Sequence, residues 1–319
     1  MYKEAHDSLY QWYLQNGRHD LPWRKTEDAY KIWISEIMLQ QTQVKTVLER
    51  FYLPFLEKFP TLRDLADAHE DEVLKQWEGL GYYTRARNLH KTAKLCRSAL
   101  PLTVEELIDL PGIGRSTAHA IAAFSYHTPV PIMDANIKRI LSRIFALKKA
   151  SDKELWQKAY TFFDNTRPYD FNQAMMDLGA TVCTGRIAMC ERCPFKKICQ
   201  ATANPLSFPE KKVKKKTPVR KKHIVLHCHQ GKYGLKQRKT RFLSGLWGFS
   251  EYAKDDEISI SKTLGKVSHT YSHFRLEADV HLHYAFVEEH EWFTLDEIKV
   301  LALSSADHKA LLLLDMAEK

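Results

Sequence analysis

The spacing of apolar positions changes once along this chain. Up to about residue 203 they recur at steps of three and four, as in Ile137, Ile140, Leu141, Ile144 and Phe145. That is the period of an amphipathic helix. Pro54, Pro60, Pro101, Pro111 and Pro168 break the run into separate helices. Between residues 204 and 222 large apolar side chains thin out, and three prolines stand among eight basic residues. That composition predicts a solvated linker whose lysines could also meet phosphates. Beyond it the period becomes two. Phe274, Leu276, Ala278, Val280, Leu282, Tyr284 and Phe286 alternate with Arg275, Glu277, Asp279, His281 and His283, the pattern of a strand with one apolar face. His223–His229 and Gly245–Phe249 also read as extended, and a last helix includes His308–Met316. The expected architecture is multidomain: an all-α domain over 1–203, a basic linker over 204–222 and an α+β domain over 223–319. His281 and His283 share a strand face and could pair on a metal. No third ligand stands near them in sequence, and a solvated polar face is the simpler reading.

A chain of 319 residues has room for two domains, and 44% hydrophobic content supports their cores. No stretch approaches the ~18 apolar residues of a membrane helix. The first residues carry charges where a signal peptide needs an apolar run. These features predict a cytoplasmic protein with no membrane partner. The net charge of +9 points to a polyanion, nucleic acid first, although the same charge also serves solubility.

Four of the six cysteines fall together as Cys183, Cys190, Cys193 and Cys199, spaced C-x6-C-x2-C-x5-C. Four thiolates so close suit tetrahedral zinc or an iron–sulfur cluster. Zinc ribbons usually pair two C-x2-C knuckles and this chain has one, so the spacing leans toward a cluster. Disulfides are the weaker alternative in a chain with no other mark of secretion.

A second signal is Leu110–Ala122, LPGIGRSTAHAIA. Pro111 stops one helix, Gly112 and Gly114 allow a tight turn with positive φ, and a new helix follows. The free N–H groups of such a turn favour an anion, and a DNA phosphate fits. An ordinary helical hairpin would read the same way. Two carboxylates complete the candidate chemistry. Glu36 lies in an apolar stripe, with Ile32, Trp33 and Leu39 on its own helix face, so desolvation should hold it protonated near neutral pH. That suits a general acid, while a satisfied buried glutamate is the plainer alternative. Asp134 precedes the helix beginning ANIKRIL and reads as an N-cap that stays ionised beside the helix dipole. One neutral and one anionic acid is a pattern suited to breaking a glycosidic bond.

The hairpin loop followed by four cysteines resembles the helix-hairpin-helix DNA glycosylases that carry an iron–sulfur cluster. Leu21–Arg24, Ser35–Val44, Gly79–His90 and Phe171–Ala180 narrow the resemblance to the adenine glycosylases of the MutY family. It covers nearly all of residues 6–203, with the hairpin at about 108–124 and the cluster loop at 183–199. The resemblance implies removal of adenine mispaired with 8-oxoguanine or guanine in double-stranded DNA, by a monomer, leaving an abasic site. Glu36 would protonate the base, and Asp134 would stabilise the oxocarbenium-like sugar with support from Asn136. Relatives commonly have glycine where this chain has Ala135. Leu21, Trp23, Arg24 and Gln173 would line the adenine pocket, while Gln41 and Tyr82 would wedge into the duplex. Gly112, Gly114, Arg115 and Lys138 would meet the DNA; Lys138 could also trap the abasic sugar. One [4Fe-4S] cluster on the four cysteines would order a loop bearing Arg186, Arg192, Lys196 and Lys197. Ser116 stands where endonuclease III-like lyases have a lysine and some MutY relatives a tyrosine, a position from which it could itself touch the reaction centre as a catalytic residue. Serine cannot form an imine, so a hydrolase without efficient β-elimination is expected.

The C-terminal segment resembles a Nudix-like domain through Arg241–Phe249 and His269–Phe274. Tyr271, Ser272 and His273 would face the 8-oxoguanine, Ser272 telling it from guanine by hydrogen bonding. No glutamate-rich helix for magnesium lies between Gly248 and Tyr271, which argues against nucleotide pyrophosphatase activity.

Overall fold

The computed structural model describes residues 2–210, 216–240 and 242–317. Residues 211–215 of the basic linker and Arg241 at the head of the Arg241–Phe249 stretch lie outside them. The chain divides into two compact units, each built from two segments: Met1–Tyr52 with Leu95–Val213, and Leu53–Lys94 with Lys214–Lys319.

The first unit is helical: α1 (Lys3–Asn16), α2 (Ala29–Leu39) and α3 (Val44–Arg50) come from its first segment. Four helices then run through the intervening stretch: α4 (Tyr52–Lys58), α5 (Leu62–Asp67), α6 (Glu70–Gln76) and α7 (Thr84–Cys96). The first unit resumes with α8 (Val104–Ile108), α9 (Arg115–Ser125), α10 (Ala135–Ile144), α11 (Asp152–Phe162) and α12 (Pro168–Thr181). The predicted stripe of α10 is real: Ile137, Ile140, Leu141 and Ile144 are at most 3% exposed and join Leu9, Tyr13, Phe124, Phe162 and Leu178 in one core. Burial of each such side chain is worth about 1.5–3 kcal/mol, enough to fix α10 against its neighbours. Two of the prolines do not sit between helices as expected. Pro54 lies in the first turn of α4 and Pro168 at the first position of α12, where proline's missing N–H costs nothing.

The second unit carries seven strands. These are β1 (Val219–His229), β2 (Lys232–Gln237), β3 (Trp247–Gly248), β4 (Ser250–Ala253), β5 (Lys262–Thr270), β6 (Arg275–Tyr284) and β7 (Glu291–Phe293). The order is β3-β2-β1-β6-β5, with β4 also paired to β1 and β7 to β2; β1 and β6 run parallel. β1 thus takes the last four residues of the predicted linker. Its Ile224 and Leu226 share a core with Val280 and Leu282 of β6, and with Ile298 and Leu314 of the closing helices α13 (Leu295–Val300) and α14 (Ser305–Ala317). Two expectations fail here. The apolar face does not run to Phe286, because β6 ends at Tyr284 and both aromatics are exposed. The histidine face is only partly solvated: His283 is half-buried, while His281 is buried and its Nε2 lies 2.9 Å from His223 Nδ1. The paired strands and their loops shield that face.

The helices α4–α7 belong with this sheet through specific polar links. Glu78 Oε1 accepts from the Leu303 amide and from His308 Nε2, each at 2.7 Å. Gln237 Nε2 donates to Asp71 Oδ1 at 2.9 Å, and Lys75 Nζ to the Leu301 carbonyl at 3.0 Å.

Candidate active site

Asp28 caps α2 by accepting from the amides of Tyr30 and Lys31. The helix then buries Ile32, Trp33, Ile34, Ile37 and Met38, and this packing fixes Glu36 in place. Glu36 keeps some accessible surface because it lines a cavity of about 170 Å³. Leu21, Trp23, Arg24, Asp134, Asn136 and Gln173 line the same cavity, so seven side chains singled out from sequence meet there. Burial, and after it the charge of Asp134, raise the Glu36 carboxyl from 4.5 to about 7 against the pull of Arg24. Glu36 is therefore substantially protonated near neutral pH.

Asp134 caps α10. Its Oδ1 accepts from the Ile137 amide at 2.7 Å, and its Oδ2 from Asn136 Nδ2 at 2.9 Å. The cap is the expected one, and burial adds an opposing effect. Burial lifts the Asp134 carboxyl above its usual range, against the pull of those donors and of Arg139. Its donors nevertheless favour the anion, so the cavity pairs a solvated-by-protein carboxylate with an acid that has no comparable donors.

Arg139 was not foreseen. Its Nη2 donates to Asn136 Oδ1 (2.8 Å) and to the Gly179 carbonyl (2.7 Å), and its Nε to the Cys183 carbonyl (2.8 Å). One hydrogen-bonded chain thus runs from Asp134 through Asn136 and Arg139 to the first cysteine. One turn on, Arg143 Nη1 lies 3.1 Å from Cys183 Sγ, and the Arg143 carbonyl meets Cys199 Sγ at 3.4 Å. The only advance sign of this was two arginines four residues apart on α10.

The four cysteines are free and half-buried. Burial and charge on the other three raise the Cys193 thiol to about 12, and Cys190 rises for similar reasons, which puts all four within electrostatic reach of one another. Among the described residues no three His, Cys, Asp or Glu side chains close on a single metal ion. The donor set, four thiols with no carboxylate and an arginine beside one sulfur, fits a centre with thiolate ligands carrying net negative charge.

The hairpin joins α8 to α9. Gly112 has φ +79°, as expected, but Gly114 does not: it is the extended N-cap of α9, with φ −86°. A Cβ on Gly114 would meet nothing within 4 Å, so no strain requires glycine there. Gly114 provides no side-chain cap, so it adds no polar group of its own at the start of α9. Arg115 stacks over Trp156 with its guanidinium carbon 3.9 Å from the ring centroid, which anchors it on α11. Ser116, Lys138 and Gln41 are not among the residues lining the cavity; Lys138 pairs with Asp152.

Gln41 (φ +58°) and Tyr82 (φ +52°) hold the left-handed conformation that non-glycine residues rarely adopt. Such strain costs about 1–3 kcal/mol each; Arg97, His127, Ala146, Gln230 and Leu243 share the conformation, so it does not by itself single out these two. Both side chains are exposed. In the second unit, Tyr82 accepts a 2.7 Å hydrogen bond from Ser272 Oγ. A cavity of about 700 Å³ is lined there by Tyr82, Phe242, Tyr271, Ser272 and His273.

Residues 34–163 match the family described as HhH-GPD superfamily base excision DNA repair protein, and 223–313 match the NUDIX domain. The adenine DNA glycosylase of Buchnera aphidicola (Acyrthosiphon pisum symbiont) is 34% identical over 331 residues, covering 94% of each chain. The Homo sapiens adenine DNA glycosylase is 44% identical over 212 residues, 61% of this chain and 38% of the human one. Among solved structures, a thermostable thymine-DNA glycosylase aligns with TM-score 0.58 and 28% identity over 63% of this chain and 97% of its own. A non-covalent endonuclease III–DNA complex aligns with TM-score 0.55 at 18% identity over 64% and 97%, a likeness of fold.

Proposed function

The chain belongs to the adenine DNA glycosylases of the helix-hairpin-helix base excision repair superfamily, and we propose that Glu36 and Asp134 together remove adenine paired with 8-oxoguanine or guanine. The observation that carries this reading is one cavity holding both acids, with Glu36 protonated up to pH about 7. The adenine enters between Trp23 and Gln173 after leaving the duplex, an extrusion costing a few kcal/mol. Glu36 gives its proton to a ring nitrogen of the base. The bond from the sugar C1′ to N9 then breaks, and its electrons leave with neutral adenine. The Asp134 carboxylate faces the cationic sugar, held by the Ile137 amide and Asn136. Water adds its hydroxyl to C1′, and its remaining proton returns to the carboxylates, which closes the proton balance. Ser116 offers no amine, so the reaction ends at an abasic site without strand cleavage.

Cys183, Cys190, Cys193 and Cys199 would hold one [4Fe-4S] cluster, whose bound role is to order the loop they share. That loop reaches Asp134 through Arg139 and Asn136. The cavity edged by Tyr82 and Ser272 would receive the oxidised guanine opposite. The helical domain, basic linker and Nudix-like domain would act as one monomer on the bacterial nucleoid.

The test is single-turnover adenine release from a duplex with one A:8-oxoguanine pair, followed by alkali to expose abasic sites. Glu36→Gln should still bind the duplex and release adenine at least about 100-fold more slowly, the contribution of a general acid. Turnover intact in that variant would remove Glu36 from the role.

A further inference from the structure

We infer that Asp177, which does not line the cavity, keeps Glu36 in its working protonation state by gripping the Arg24 guanidinium and cancelling its charge at the cavity wall. The inference rests on the reading of Glu36 as proton donor. Asp177 sits on α12 one turn beyond Gln173, and its side chain is fully buried. Its Oδ2 accepts from Arg24 Nη1 (2.7 Å) and the Arg18 amide (2.8 Å). Its Oδ1 accepts from Arg24 Nη2 (2.8 Å) and Arg18 Nε (2.6 Å). The Arg24 contact is a two-pronged fork, the geometry in which guanidinium and carboxylate neutralise each other best.

The burial of Arg24 makes this matter. Its side chain is 4% exposed, so water does not screen its charge, whereas Arg18 is 30% exposed and partly solvated. Arg24 lines the cavity with Glu36 and draws the Glu36 carboxyl toward its anion. Asp134, at the start of α10, pushes the other way. Other titratable groups close to this pair of arginines are the phenols of Tyr13 on α1 and Tyr169 on α12, both raised by burial and both opposed by Arg24, together with Asp170, whose charge acts on both phenols, and His19, packed on Tyr13. Asp177 is the carboxylate bonded to Arg24. Burial alone would raise its carboxyl, but hydrogen bonds and charge from Arg24 and Arg18 hold it below the ordinary range. It therefore stays anionic, so that Arg18 and Arg24, which both line the cavity, present Glu36 with one net positive charge instead of two. Asp177 is a positioning residue.

The pH dependence of single-turnover adenine release tests this in the full chain. In Asp177→Asn the alkaline limb should move down by about 1 pH unit, the effect of an uncompensated cation near a carboxyl. In Asp177→Asn/Arg24→Gln the limb should return toward its original position, because the orphaned cation is gone. Should Asp177→Asn alone not fold, Arg24→Gln alone should move the limb upward. A slower reaction with the limb unmoved, or a double variant that does not recover it, would overturn the inference and leave Asp177 a strut. If Glu36→Gln retains turnover, the donor assignment fails first. If that variant is inactive and the limb is still unmoved, only the role of Asp177 fails.

Discussion

A carboxylic acid raised from 4.5 to about 7 by burial makes the native chain less stable as solution turns alkaline. Below pH 4.5 Glu36 is neutral folded or unfolded. Between 4.5 and 7 only the unfolded chain ionises, so stability falls with each pH step. Above 7 the full difference, about 3 kcal/mol, has been lost. Glu36→Gln should lack this fall, so its urea midpoint should overtake that of the parent as pH rises from 4 to 8. Parallel midpoints across that range would refute the raised acid. Glu36 could be found in the sequence because its desolvation is local: its apolar neighbours lie one helical turn away. The same holds for the Asp134 cap and the cysteine spacing. Arg139 and Asp177 could not be found, because each gains its meaning from partners about 40 and 150 residues away in the chain. The burial of Asp134 was not legible for a related reason. The cap was visible in sequence, but the burial that opposes it is tertiary.

The helices bring these residues together by close approach. A Cβ built on Gly179 of α12 would lie 2.4 Å from the Cβ of Asn136 on α10. Glycine is there because two backbones nearly touch at the residue that supports Asp134. Gly179→Ala should therefore cost about 1–3 kcal/mol of stability through overpacking. It should also slow adenine release, because the helix that must retreat carries Asn136. Thermal melts and single-turnover rates check both, and a normal rate at normal stability would show that the helices yield without consequence. The period of the apolar positions revealed which helices and strands exist. It did not show α13, six residues whose signal is a Thr294 capping box instead of a long stripe. Nor did it show that β6 stops at Tyr284, since alternation continues in residues that lose their strand partner.

At the scale of the whole chain, the sequence pattern suggested a simple order, helices first and sheet second. The second compact unit instead includes Leu53–Lys94 from the middle of the helical run. Long-range contacts, polar links among them, join the two segments, and no local period encodes them. Glu78 is a two-partner link: burial would raise its carboxyl, but His308, Lys75 and the Leu303 amide together hold it low. Glu78→Ala should leave that amide without its acceptor and cost about 1–3 kcal/mol. The loss should show as faster hydrogen exchange in α13, α14 and the adjoining strands. Unchanged exchange there would mean the sheet does not depend on this carboxylate.

The divided unit has a consequence for how the polypeptide is born. About 120 residues separate Lys94 from Lys214. At about 5–20 residues per second, the ribosome delivers the later segment roughly 6–24 s after the earlier one. During that interval Asp71, Lys75 and Glu78 have only local partners, His69 beside Asp71 and Lys75 on Glu78, and water. A nascent surface made of charges can wait in the cytosol without attracting other chains, so the delay built into this topology does not expose a sticky seam at these positions.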